Sequence, residues 1–475
     1  MANFIIYDVT FLVMFAIFVS VFLYSRKQNL KREGLLFLYK AGWGIKLIEK
    51  TGSKYKKTLG VLSYFSIITG YTLMVVMLYM LGKIVYLYIT LPAVVREIKI
   101  PPITPLVPYL PQIFGLDFLP PFYFTYWIII IAIVAISHEF AHGIFAAYDG
   151  VNVKSTGFGF FPFFLPIFLA AFVELDEKSM AHKKIKSQLA ILSAGTFANV
   201  LTAILFFGVL WIFFSSAFSP SGVIFDTYPY STIAVAGITS VNGISVENPT
   251  GDEIQAMLND EGLNKIKAGN DFVTTKKFFE GQKENAQVII YYDSPAINAE
   301  LESIILKING EKVISVSSLE NEISKYSPRE KITLTLIGDD ENIYDKDIIL
   351  GEHPEDENKA WLGVGFTQQR TSGIMGKVYL ALSSFKNPSV YYEPKFDGMS
   401  IFIYNLLWWL VLISISVALV NMLPVGIFDG GRFFYLTILA LTKSEQKAKN
   451  SFALATYAIL FLIFVLMFFW AVSFF

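Results

Sequence analysis

Long apolar runs recur near 4–24, 62–90, 122–147, 187–214, 400–423 and 450–474. Each can provide the roughly 20 residues that a helix needs to cross a bilayer, so about six transmembrane helices are expected. A seventh apolar stretch is different. The run Gly157-Phe-Gly-Phe-Phe-Pro-Phe-Phe-Leu-Pro-Ile-Phe168 is interrupted by glycine and proline and cannot continue as a helix. A re-entrant β-hairpin over 153–176 fits it, because non-helical backbone at membrane depth is tolerated against protein or a watery cavity. Its free edge would then offer strand addition to an extended peptide. An interfacial aromatic patch is the other reading. Loop 91–121, carrying Pro101, Pro102, Pro105, Pro108, Pro111, Pro120 and Pro121, is expected to lie against the outer face without a continuous helix.

The pattern changes over 220–370. Lys331-Ile-Thr-Leu-Thr-Leu-Ile337 alternates with the period of a strand, and Ser317 with Glu320 reads as a capping box for a short helix through Ile323. Ile238-Thr-Ser-Val-Asn-Gly-Ile-Ser-Val246 recurs as Ile305-Leu-Lys-Ile-Asn-Gly-Glu-Lys-Val313, each copy holding an Asn-Gly turn between apolar flanks. The expected fold is therefore a polytopic α-helical membrane protein with a re-entrant β-hairpin and an inserted α+β region. Four segments follow: an anchor and basic stretch (1–60), the first part of the membrane core (61–219), the insertion (220–370) and the second part of the core (371–475).

Charge orients these segments. Arg26, Lys27, Lys31 and Arg32, followed by Lys40, Lys46, Lys50, Lys54, Lys56 and Lys57, place 25–60 in the cytoplasm by the positive-inside rule. Lys178, Lys183, Lys184 and Lys186 agree, as do Lys443, Lys447 and Lys449. Loop 91–121 and the insertion then fall outside, and the cell membrane is the expected location. The first run lacks a basic stretch before it and reads as an anchor, not a cleavable signal.

Composition narrows the chemistry. Hydrophobic residues make up 54% of the 475 and charged ones only 16%, which identifies the bilayer as a partner. A net charge of −1 gives nucleic acid nothing to attract it. The absence of cysteine excludes disulfides, thiolate ligands and a cysteine nucleophile, so any metal must be held by His and carboxylate.

Two of the four histidines supply such a site. His138-Glu-Phe-Ala-His142 closes the third apolar run, and an H-E-x-x-H spacing puts both imidazoles on one helix face with Glu139 as a general base. Each ionisable group at the centre of a span costs about 2.5–3.5 kcal/mol, so three in five residues call for a partner such as a dication. A hydrolytic zinc takes a third protein ligand and keeps a position for water. His182 and His353 lie in polar segments. Asp429, in Asn421-Met-Leu-Pro-Val-Gly-Ile-Phe-Asp-Gly-Gly431, lies at the same expected cytoplasmic end as His138. Pro424 and Gly426 break the helix there, and Gly430 with Gly431 permits close backbone approach. A plain helix exit and turn would leave the same residues.

The pairing of His138-Glu-Phe-Ala-His142 with Asn421 through Gly430, as H-E-x-x-H and N-x-x-P-x-x-x-x-D-G, resembles the site-2 protease family of intramembrane zinc metalloproteases. Ala194-Gly-Thr-Phe-Ala-Asn199 is similar to the family's A-G-P-x-x-N segment, with Thr196 where proline is usual. The repeat, with Ser294-Pro295-Ala296 before its second copy, resembles tandem PDZ domains, making the insertion PDZ-like. The resemblance implies one Zn²⁺ per chain on His138, His142 and Asp429, with Glu139 as base. It further implies substrate contacts from Asn421 and Asn199, and strand pairing from Gly157, Phe158, Gly159 and Phe160. The implied activity is endoproteolysis of single-span membrane proteins, the PDZ-like region screening peptide C-termini and favouring substrates already shortened. A metal transporter and a non-catalytic peptide-binding receptor or scaffold are the rival readings.

Overall fold

A computed structural model describes residues 2–33, 36–92, 95, 101–102, 106–116, 119–160, 169–338, 342–366 and 384–472. The chain divides into two compact units, Met1–Phe213 with Ile401–Phe475, and Phe214–Ser400.

Six helices among the described residues are long and apolar enough to cross a membrane. They are α1 (Ala2–Ser25), α2 (Lys56–Thr90), α3 (Phe124–Tyr148), α4 (Ile185–Ala217), α5 (Asp397–Asn421) and α7 (Glu445–Val472), with the shorter α6 (Asp429–Thr442) between the last two. Each contains most of one expected apolar run. The helices α2 and α7 begin earlier, through Lys56-Lys57 and Glu445 to Lys449, because charged straight-chain residues are good helix formers that an apolar count leaves out.

One buried carboxyl group ties α1 to the start of α3. The N-cap of α3, Tyr123, has no side chain that caps the helix. Asp8 on α1 does so from outside, its carboxylate accepting from Phe124 N at 2.8 Å and Thr125 N at 2.9 Å. The hydroxyls of Thr125 and Tyr109 donate to the same group, and Asp8 is 1% exposed. A carboxylate at this end also complements the helix dipole.

A four-stranded sheet belongs to the same unit, in the order β1 (Leu30–Glu33), β2 (Leu36–Ala41), β3 (Val153–Phe160), β4 (Leu169–Leu175), all antiparallel. Residues 161–168, the tip of the expected hairpin, lie outside the described residues. The strand β3, which carries Gly157 to Phe160, has both edges paired, with Leu38 opposite Gly159 on one side and Ala170 on the other. Among the described residues, no strand pairs with the second edge of β4. The basic segment after α1 thus supplies two strands that its charge pattern did not announce.

The Phe214–Ser400 unit has two apolar cores. β5 (Phe218–Ile224) belongs to the second. The first is built on a six-stranded sheet of β6 (Tyr230–Ala234), β7 (Ser240–Val241), β8 (Ile244–Ser245), β9 (Asn264–Ala268), β10 (Asn270–Thr274) and β11 (Gln287–Tyr292). The other sheet joins β5 to β12 (Ile304–Ile308), β13 (Glu311–Lys312), β14 (Lys331–Ile337) and β15 (Ile343–Ile349), with β16 (Gly351–His353) and β17 (Asp356–Trp361) forming a separate pair and β18 (Val390–Pro394) flanking β5. The sequence repeat is structural. Asn242-Gly243 and Asn309-Gly310 each turn a hairpin with both φ angles positive. In each copy the Asn Oδ1 accepts a backbone N–H of a neighbouring strand, Lys265 at 2.9 Å and Thr333 at 2.8 Å. The short helix Val316–Ile323 has its cap two residues before the expected Ser317. Ser315 is its N-cap, and Ser318 performs the reciprocal bonding expected of Glu320.

Candidate metal centre

The histidine pair is set by α3. Four residues apart, His138 and His142 lie on one face, and their Nε2 atoms are 3.0 Å apart. Asp429 reaches them from the first turn of α6, its Oδ2 lying 3.2 Å from each Nε2. The aspartate is delivered by the break after α5. A Cβ on Gly430 would lie 2.4 Å from Met422 C, and one on Gly431 would lie 2.4 Å from Val425 O, so only glycine lets the start of α6 fold back this closely. His138 and His142 are buried, at 6% and 8% exposure.

The tautomers follow from the neighbours. His142 Nδ1 lies 2.7 Å from the Ile191 carbonyl of α4, which can only accept, so Nδ1 carries a proton and in the neutral ring Nε2 presents a lone pair. That lone pair, a carboxylate oxygen and the second imidazole nitrogen converge on one point. Three such atoms at this spacing could hold a metal ion between them. A tetrahedral zinc with bonds of about 2.0–2.1 Å spaces its ligands by about 3.3 Å, close to the triangle found here. Gly195 on α4 supplies the room: a Cβ there would lie 2.4 Å from His142 Nε2 and 2.5 Å from His138 Nε2, encroaching on the space a metal ion would take. Among the described residues, this is one group of three His, Asp or Glu side chains able to hold a metal ion.

Glu139, between the histidines, turns toward the sheet and accepts from Val173 N at 2.9 Å. The unpaired edge of β4 is therefore the one that meets the site. Lys40 on β2 spans to Glu174 on β4 at 2.7 Å, and this bond, followed by one from Ser155, holds the Glu174 carboxyl below its usual range. Two cavities meet at Glu139 and Asp429. One, of about 380 Å³, is lined largely by apolar groups but includes His138, Ala171 of β4 and Asn421. The other, of about 790 Å³, is lined by charged groups including Lys40, Lys178 and Arg432.

The structure thus brings His138, His142 and Asp429 together, with Glu139 adjacent and Asn421 on a cavity wall. Asn199 is fully buried, with its amide nitrogen 3.1 Å from His138 Nδ1, and lines neither cavity. Gly157 to Phe160 sit inside the sheet. Sequence reasoning missed the Ile191 carbonyl, the Val173 amide and the role of Gly195. A main-chain group leaves no mark in a sequence, but the four-residue spacing of 191, 195 and 199 matches that of the histidines.

Residues 126–466, more than half of the chain, match Peptidase family M50, and the match contains both motifs. The chain belongs to that family. This is the site-2 protease family to which the two motifs point. A further relative is an uncharacterized protein of Methanocaldococcus jannaschii, MJ0971, 36% identical over 194 residues. That alignment covers 39% of this M50 chain and 47% of the relative, so the chain matches about half the length of the protein it resembles.

Proposed function

We propose that this chain is an intramembrane zinc metalloendopeptidase that cuts single-span membrane proteins within or beside their transmembrane segments. The observation that carries the reading is the convergence of His138 Nε2, His142 Nε2 and Asp429 Oδ2 within 3.2 Å of one another. Zinc held by these three would polarise the scissile carbonyl and make a water acidic enough to deprotonate near neutral pH.

The remaining work falls to the chain. Glu139 takes the proton of the attacking water and returns it to the leaving amide nitrogen, letting go of Val173 N to do so. A helical substrate hides its carbonyls in hydrogen bonds and must unwind first. The outer edge of β4 suits the extended strand, because that edge faces Glu139 and one of its residues, Ala171, lines the same cavity as Asn421. This moves the substrate-pairing role from β3 to β4. Asn421 contributes an amide to the substrate backbone, and the apolar cavity receives the flanking side chains. The α+β unit acts as a PDZ-like filter for peptide C-termini, outside the cell membrane, with the metal toward the cytoplasm. A transporter would need successive ligand groups along a path, and the metal-holding group described above is confined to one place.

Reconstitution with a single-span substrate tests this. The native chain should cleave it, and Glu139→Gln should keep its zinc while losing about 10²–10⁴-fold in rate. Undiminished cleavage by that variant would overturn the assignment.

A further inference from the structure

Asn199 has a buried oxygen that nothing among the described residues satisfies. Its Oδ1 is enclosed without a hydrogen-bond partner among the described residues, while its Nδ2 faces His138 Nδ1 at 3.1 Å. A buried amide oxygen left unpaired costs about 1–3 kcal/mol. The two ends of an amide are distinguished only by their hydrogen bonds, so a half-turn of the amide exchanges them in place. The oxygen then stands where the nitrogen was, opposite a ring nitrogen. That nitrogen is a donor whenever Nε2 of the same ring is a metal ligand, since a neutral imidazole has one proton and Nε2 must then be bare.

The neighbouring turns of α4 have the same orientation. Ile191 O accepts from His142 Nδ1, Gly195 leaves clear the space between the two Nε2 atoms, and Asn199 meets His138 Nδ1. Positions 191, 195 and 199 are spaced by four, as are 138 and 142, so two helices facing each other place one α4 group against each ring.

We propose that α4 is the outer shell of the metal centre, with Asn199 a positioning residue that accepts the Nδ1–H of His138 through Oδ1. This rests on the metalloprotease reading and reassigns Asn199 from substrate to ligand. It fixes the ring's tautomer and rotation, as the Ile191 carbonyl does for His142.

The test uses the full chain with zinc alone as the probe of affinity, by competition against a chelating indicator, and a single-span substrate for kinetics. Asn199→Leu removes the acceptor, and zinc affinity should fall by about 10–100-fold. At saturating zinc, kcat should fall with KM unchanged. Asn199→Asp keeps an acceptor and should bind zinc at least as tightly as the native chain, which neither a packing role nor a substrate-amide role requires. Native zinc affinity in Asn199→Leu, or a raised KM alone, would overturn the proposal. So would Asn199→Asp losing zinc while folded by circular dichroism, a readout that stands even where the leucine variant does not fold. A native chain that cleaves without taking up zinc would overturn the metal reading itself, and this inference with it.

Discussion

Gly195 is the residue at which sequence and geometry meet most narrowly. A methyl group there would have to share the space between two imidazole nitrogens 3.0 Å apart. Overpacking costs about 1–3 kcal/mol, so Gly195→Ala should weaken zinc binding by about tenfold or more while leaving helix content unchanged. Metal titration beside circular dichroism checks it, and native affinity would show the space is not the ion's. The cluster of proposed ligands was legible: H-E-x-x-H declares a helix face, and Asp429 was the remaining carboxylate beside a broken helix at the matching end. What tunes the ligands was not legible. The acceptor for His142 is a carbonyl, and Asn199 reads in sequence as one polar residue in an apolar span, with nothing to say whether it faces ligand or substrate.

Among the elements, the spans followed from apolar length alone because a bilayer demands it. The sheet did not. β2 comes from a stretch read in the sequence only for its lysines, and its pairing to β3 is a contact over more than a hundred residues. Likewise, the cap of α3 is remote in sequence. Asp8→Ala would leave two backbone N–H groups and two hydroxyls without their acceptor at the start of the helix that carries His138. Loss of a cap costs about 0.5–2 kcal/mol, and buried unpaired groups add to it. The thermal midpoint of the purified protein should drop by several degrees, less so for Asp8→Asn, which keeps an acceptor. An unchanged midpoint would show that α3 does not depend on this carboxylate.

For the whole molecule, the charge clusters define a topology that the absence of cysteine makes easy to read. Lys312→Cys, exposed on the second Asn-Gly hairpin, should react with a membrane-impermeant maleimide in intact cells, and Lys447→Cys only after permeabilisation. The reverse pattern would invert the orientation proposed. The insertion was legible through its repeat, yet the Phe214–Ser400 unit exceeds 220–370 at both ends because β5 and β18, next to the spans, pair inside it. The proposed function nonetheless depends on two distant helices being able to hold one ion. The most direct measurement is zinc content by mass spectrometry of the intact chain and of Asp429→Ala, purified without chelator. The account predicts one zinc per native chain and a substoichiometric amount in the variant. Zinc absent from the native protein, or equally retained without Asp429, would contradict it.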